Sequence, residues 1–284
     1  MHKIIILFIT AILVITAPID SFAGKGATSK TKQKVEKQAE QNKASKYSKI
    51  PFALSGNIIP LDYLGHDLRE VYKSLEFRMN KQKNEFETTD EFYERKDRED
   101  KLPLIGSINL SDNFALLVKS KSKYDADNKS LIILLPLQES WTKKFELGIK
   151  GQEIYNRKKM YVGSNAFGAT AKITEYSTSD AILVVKNSSS YDFDQSSYRT
   201  NQYMYVTLND VSVENAKKIK DNLSTICVFK LDSPFIGEDV YYSEATIDHP
   251  TKMVISNNLV YGNISEIIVF NNKSGEILRR IANK

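Results

Sequence analysis

The sequence has only one cysteine, Cys227, together with three histidines and one tryptophan among its 284 residues. A single cysteine cannot form an internal disulfide, so a packed core has to stabilise the fold. No two histidines or cysteines stand at the short spacing that zinc sites use, and no cofactor is predicted. Hydrophobic residues make up 41% and aromatic residues 10% of the chain, which is enough for such a core.

Long apolar runs are also scarce, and the one that stands out is at the start. Residues 4–16 are uncharged and apolar, they follow Lys3, and Ser21 and Ala23 provide small residues further on. This order predicts a secretory signal over residues 1–23 that is cleaved between Ala23 and Gly24. The run is shorter than the about 20 residues of a membrane span, although a retained N-terminal anchor is the alternative. We therefore expect an exported protein, periplasmic or extracellular, with no transmembrane segment after cleavage.

The net charge of +5 is concentrated in one segment. Residues 24–50 contain eight lysines and two glutamates, whereas residues 51–284 sum to a charge of −1. Residues 24–50 are poor in apolar side chains, which predicts a disordered basic linker. Weak contact with anionic surfaces is expected through Lys25–Lys49. Because the folded part is nearly neutral, the composition argues against nucleic acid as a partner.

Periodicity divides the remainder into a helical region, 51–103, and a β-rich region, 104–284, which we interpret as one domain. Asp67–Met79 has an apolar stripe at helical spacing, and a second helix is predicted from Thr88, with Glu91 at capping-box spacing. A later helix is predicted after Ser212, with a face that continues to Leu223. The fold class predicted is α+β, with mostly antiparallel sheet, an N-terminal helical region and one later helix.

Apolar or alternating runs predict the strands. These are 114–118, 131–135, 145–150, 171–176, 181–185, 203–208, 226–231, 266–270 and 276–281. The last two flank Asn271–Gly275, which is a good hairpin turn.

Two short segments resemble parts of uncharacterised exported bacterial proteins. Residues 86–95, FETTDEFYER, resemble a helix lead-in of such proteins, and residues 161–168, YVGSNAFG, are similar to a strand and turn in them. The resemblance implies export and adds no activity.

The candidate catalytic residues are few. His66 lies four residues after Asp62, and His249 follows Asp248 directly. If these two pairs met in the fold they could hold zinc, and a zinc-bound water would make a hydrolase. The alternative interpretation places His66 before a helix start and His249 in a turn. Cys227 lies in an apolar run, which predicts a buried thiol without a catalytic role.

A second candidate site is an aromatic stretch that also contains aspartate, asparagine and glutamine. Rings beside such polar groups can form a binding surface for sugars or for a partner protein, although they are also ordinary sheet residues. The residues are Tyr191, Phe193, Tyr198, Tyr203 and Tyr205.

Two functions follow from these observations. The first is a non-catalytic binding or interaction protein of the bacterial envelope, whose partner is an unknown envelope component or protein. The second is a hydrolase with a dispersed, metal-dependent site. The missing catalytic cluster favours the first.

Overall fold

A computed structural model describes residues 46–54, 56–138, 140–186 and 203–282. The predicted signal and residues 24–45 of the predicted linker lie outside the described residues. Residues 46–50, which the sequence places in the linker, are instead hydrogen bonded to the domain. Ser48 N–H donates to the Gly65 carbonyl at 2.8 Å, and Ser107 N–H donates to the Lys49 carbonyl at 3.0 Å. The fold therefore includes this end of the predicted linker.

Helix α1, Leu68–Met79, matches the predicted apolar stripe. Asp67 caps it, since its carboxylate accepts a hydrogen bond from the Arg69 N–H at 3.0 Å. The helix buries one face against the sheet, through Leu68, Val71, Tyr72 and Leu75.

Helix α2, Thr89–Asp100, has the predicted capping box, in which Thr88 and Glu91 each accept a hydrogen bond from the other's backbone N–H. None of its residues is buried, so the helix lies on the surface. Ion pairs rather than a core hold it, because Arg95 binds Glu87 at 2.7 Å and Lys81 binds Glu99.

The described residues include nine strands. They are β1 Phe114–Val118, β2 Lys121–Asp125, β3 Ser130–Gln138, β4 Gly148–Ser164, β5 Thr170–Val185, β6 Tyr203–Leu208, β7 Leu223–Ser243, β8 Thr251–Asn271 and β9 Ile277–Ala282. These strands form one mixed sheet in the order β1-β7-β8-β5-β4-β3-β2, with β6 paired to β3 and β9 to β8. A short helix α3, Val213–Ile219, and a 3-10 turn, Lys220–Asn222, lead into β7.

Strand β8 organises the sheet, because its two halves have different neighbours. It pairs with β7 antiparallel along most of its length. Its first half also pairs with β5, from Thr174 opposite Thr251 to Val185 opposite Gly262, and this pairing is parallel. Its second half pairs with β9. The other strand pairs are antiparallel, so the domain is α+β with a mixed sheet.

The sheet has an apolar layer on both faces. We call the face that α1, β3 and β6 cover the inner face, and the opposite one the outer face. Leu183 and Val260 lie on the inner face and belong to the main core. On the outer face there are two smaller clusters, one around Ile59, Ile226 and Ile268 and one around Phe145, Ile182 and Leu259.

Glycine at position 151 sets where α1 lies on the inner face. A Cβ at Gly151 would lie 2.7 Å from Leu68 Cδ1 and 3.0 Å from the Ala181 carbonyl oxygen. Only a residue without a side chain lets the start of α1 approach β4 this closely.

Several predicted strand ends were wrong. β4 begins at Gly148 rather than Phe145, because the Phe145 ring packs from a loop onto the outer face. The runs 171–176 and 181–185 are one strand, β5. Leu223 does not continue the helical face but begins β7.

Candidate functional site

Four strands of the sheet continue well past α1. We call this part, residues 153–178 and 236–258, the extended sheet. No residue from Lys150 to Thr178 is buried, although backbone pairing joins β4 to β5 as far as Ser164 opposite Thr170. Strand β3 pairs with β4 only at Ile149 and Gly148, so β4 beyond them is an edge strand among the described residues. The extended sheet thus offers surface that the core does not use.

On the outer face a loop crosses the sheet and carries the only tryptophan. The Trp141 N–H donates to Asp239 Oδ2 at 3.1 Å, and the Thr142 hydroxyl donates to Asp239 Oδ1. Lys144 Nζ donates to the Glu238 carbonyl at 2.6 Å. These bonds place the Trp141 ring against Tyr241, with centroids 5.1 Å apart and planes at 30°. Asp239 is fully buried, and the loop supplies the hydrogen bonds that a buried carboxylate needs. These bonds hold the loop in place, and with it the Trp141 ring.

Apolar side chains continue from this ring pair along the outer face. Cross-strand partners point to the same face, and Met253 is the partner of both Ser243 and Tyr176. Tyr176 in turn is opposite Lys158 on β4, and Met160 and Val162 follow on the same face. Trp141, Tyr176, Met160 and Val162 are 49%, 39%, 58% and 73% exposed. Several exposed apolar side chains on one face of a sheet are typical of interaction surfaces.

Cations lie over the aromatic rings on both faces of the extended sheet. On the outer face, Lys158 Nζ is 5.3 Å from the Tyr176 centroid. Three further pairs lie on the inner face. Side chains alternate between the two faces along a strand, so these pairs are on the other side of the sheet from Lys158. They are Arg157 over Tyr155 at 5.1 Å, Lys159 over Tyr161 at 5.5 Å and Lys252 over Tyr242 at 5.1 Å.

The end of the β4–β5 hairpin is purely cationic. Between Glu153 and Glu175 the chain carries four cations and no carboxylate. The four are Arg157, Lys158, Lys159 and Lys172. Within the part of the chain that the structure describes, two nearby carboxylates on the sheet pair with other lysines. Asp180 pairs with Lys150, and Glu175 pairs with Lys252.

The turn at the hairpin tip is well defined and still exposes a phenylalanine. Asn165 Oδ1 accepts from the N–H groups of Phe167 and Ala169, both at 3.0 Å. Gly168 has φ +80°, a conformation that glycine adopts without strain. Phe167 is nevertheless 95% exposed. Its exposure follows from the shape of the turn.

His66, the first candidate catalytic residue, holds the backbone together instead. Its Nδ1 accepts from the buried Ala115 N–H at 2.7 Å, and its Nε2 lies 2.9 Å from the Ile50 carbonyl and therefore donates to it. The His66 N–H also donates to the Ala115 carbonyl at 2.7 Å. Burial lowers the pKa of His66, against smaller effects of its backbone hydrogen bonds. The neutral ring links residue 50 to β1, with no nitrogen left for a metal.

The other three candidates do not join it. Asp62, Asp248 and His249 are exposed, and the His249 N–H donates to Thr246 Oγ1 within its turn at 3.0 Å. Among the described residues no group of three or more His, Cys, Asp or Glu side chains is placed to hold a metal ion. The predicted positions of His66 before a helix and His249 in a turn are confirmed.

Of the predicted aromatic surface, Tyr191, Phe193 and Tyr198 lie outside the described residues. Tyr203 and Tyr205 are on β6, opposite Pro136 and Leu134 of β3, and Tyr205 is half-buried. The extended sheet was not identified as a site from the sequence. The signal that points to it is the sequence YNRKKMYV, in which rings and cations are interleaved at residues 155–162.

Apart from the extended sheet, an open groove of about 440 Å³ lies between α1 and α2. Apolar Phe77 and Leu102 line it together with the Lys81–Glu99 ion pair.

Comparisons with known proteins give no relative. No family model matches the chain, and no curated protein or solved structure is significantly similar to it. In the described part of the chain, no helix has both the length and the apolar character needed to cross a membrane.

Proposed function

We propose that this chain is an exported protein of the bacterial envelope that acts by binding, and that the extended sheet is its binding surface. One observation carries the second part of the proposal. Sheet strands normally bury at least one face, whereas the segment from Lys150 to Thr178 buries neither. Its rings and apolar side chains stabilise little of the core, so their exposure is best explained by a partner.

Export is supported by the order of basic, apolar and small residues at the start of the sequence. Fractionation of the producing bacterium, followed by N-terminal sequencing, tests it. We expect the protein outside the cytoplasm with Gly24 as its first residue. A cytoplasmic protein that retains residues 4–16 would overturn the proposal.

Binding is tested by sedimentation of the processed protein with envelope fragments, walls and membranes together, at physiological salt. The test variant is Trp141→Ala with Tyr176→Ala, two exposed rings on the outer face. Because the Trp141 backbone rather than its ring bonds Asp239, this variant keeps the loop in place. Removing two ring contacts from an interface weakens binding at least tenfold by typical magnitudes.

The matched control is Phe77→Ala with Phe86→Ala, two rings that are 72% and 93% exposed and lie outside the extended sheet. We expect the control to bind as the unchanged protein does. Equal binding by both variants would assign recognition to another surface, and no sedimentation at all would contradict a role in envelope binding.

A further inference from the structure

We propose that the end of the β4–β5 hairpin inserts into an anionic lipid bilayer, with Phe167 leading. The inference rests on the proposed function and names the envelope component that the extended sheet contacts. Three features of residues 154–174 carry it: the purely cationic charge, the exposed apolar side chains and the small residues at the tip.

Charge complementarity identifies the surface as anionic. Arg157, Lys158, Lys159 and Lys172 lie on one projecting hairpin without a carboxylate between Glu153 and Glu175. Residues 51–284 together sum to a charge of −1, so the chain around this hairpin carries −5 and the hairpin is a local cationic exception. Each cation near an anionic leaflet strengthens binding by roughly fivefold.

The apolar side chains are arranged in the order that a bilayer requires. Phe167 is at the very end, Val162 and Met160 follow on the outer face, and Lys172 is opposite Val162. At about 3.3 Å per residue, Lys172 lies roughly 7 Å from the last strand pair, Ser164 with Thr170. An interfacial segment reaches about 5–10 Å below the headgroups, which places Lys172 at their level.

Lys159 also stays within reach of the surface. Lys159 is five residues before Ser164, or roughly 17 Å along the strand. A long lysine side chain and a tilt of the hairpin bring its charge to within about 8 Å of the headgroups, the screening length at physiological salt.

A bilayer explains the tip better than an anionic polymer does. An anionic polymer would bind the four cations, but it would not explain why Phe167 is 95% exposed in a turn that Asn165 fixes. The neighbours Ala166, Gly168 and Ala169 are small, so the ring can enter between acyl chains without dragging polar side chains with it.

The first experiment measures sedimentation of the processed protein with vesicles of phosphatidylglycerol and phosphatidylcholine, and with phosphatidylcholine alone. The charge variant replaces Arg157, Lys158, Lys159 and Lys172 by glutamine. The control replaces four exposed lysines elsewhere, Lys119, Lys217, Lys220 and Lys273, by glutamine. Both variants keep the basic segment Lys25–Lys49, so its contribution to binding cancels.

We expect the charge variant to bind anionic vesicles at least tenfold more weakly, and the control to bind within about twofold of the unchanged protein. Phe167→Ser should weaken binding roughly tenfold, whereas Phe86→Ser should have no effect. Circular dichroism of each variant verifies that a loss of binding is not a loss of fold.

The second experiment reports insertion directly. Trp141 is the only tryptophan, so the emission that Phe167→Trp adds to that of the otherwise unchanged protein reports on the tip. Anionic vesicles should shift this added emission to the blue, and brominated lipids should quench it. Phe86→Trp in the otherwise unchanged protein is the control, and the emission that it adds should not respond.

The outcomes separate this inference from the proposed function. Binding to envelope fragments without binding to anionic vesicles, or a Phe167→Trp probe that stays in water, overturns the bilayer inference alone. The bilayer inference is also overturned if the protein binds isolated wall fragments and the charge variant still binds them. Failure to bind any envelope fraction overturns both proposals.

Discussion

The hydrogen bonds of His66 predict that one buried imidazole makes the fold sensitive to mild acid. Its Nδ1 already accepts the Ala115 N–H, so a proton there would remove the acceptor of a fully buried donor. Burial lowers the pKa of His66 below its ordinary value of 6.5. The folded chain therefore keeps the ring neutral at pH values where the unfolded chain protonates it.

The sign of the effect follows from this difference in bound protons. Stability is complete above the unfolded pKa and falls as pH drops below about 6.5, because only the unfolded state takes up the proton. The slope reaches at most about 1.4 kcal/mol per pH unit. Between pH 7 and pH 5.5 the loss is about 1.3 kcal/mol for as long as the native ring stays neutral.

His66→Gln is the perturbation that isolates this contribution. Glutamine has no titrating group and does not reproduce both bonds of the ring, so at pH 7 we expect the variant to be less stable by about 2–4 kcal/mol. Its stability should then depend less on pH than that of the unchanged protein, by about 1.3 kcal/mol between pH 7 and 5.5.

Urea unfolding of both proteins at pH 5.5, 6.0, 6.5 and 7.0 measures the difference. His249→Gln is the matched control, since it also replaces a histidine by glutamine but at an exposed position. The reasoning is refuted if His66→Gln shows the same pH dependence as the unchanged protein, or if NMR finds the native His66 titrating near 6.5.

Three further predictions concern separate parts of the fold. Burial raises the pKa of the Cys227 thiol to about 12, so a thiol reagent should label it only after unfolding, and rapid labelling of native protein would contradict its place in the core. The hydrogen bond from Arg95 lowers the pKa of Glu87 from 4.5 to about 2, so the stabilisation of α2 by this pair is complete above about pH 4.5 and is lost progressively as pH falls towards 2. Arg95→Gln should raise amide exchange in α2 at pH 5, and unchanged exchange would count against the pair. Metal analysis should find less than one zinc per chain, because His66 has no free nitrogen, and stoichiometric zinc would revive the hydrolase hypothesis.

Local signals in the sequence were sufficient for the helices. The capping box of Thr88 and Glu91 fixes the start of α2, and the stripe that ends at Met79 gives α1 nearly to the residue. These patterns operate within a few residues of chain, so tertiary contacts did not have to be known.

The same method predicted 171–176 but missed most of the extended sheet for a physical reason. A strand is recognised because one face is buried, which makes its side chains alternate between apolar and polar. Residues 153–164 bury neither face, so cations and rings occur on both, and the second half of β7 is further interrupted by Ser233–Pro234. The alternative of a zinc site finds no support for a related reason, because the partners of His66 are backbone groups that the sequence does not display.

The cations on β4 have a second physical role that any account of this surface must include. An exposed edge strand can pair with another chain, and charged side chains on it prevent such pairing. Arg157, Lys158 and Lys159 lie on the part of β4 beyond Gly148 and Ile149, where β3 no longer pairs with it among the described residues. Protection of the edge explains these three charges but neither Lys172, which is on β5, nor the exposed ring of Phe167. A cationic edge that also carries an apolar tip satisfies both requirements at once, since the charges that repel a second copy of the chain attract an anionic surface.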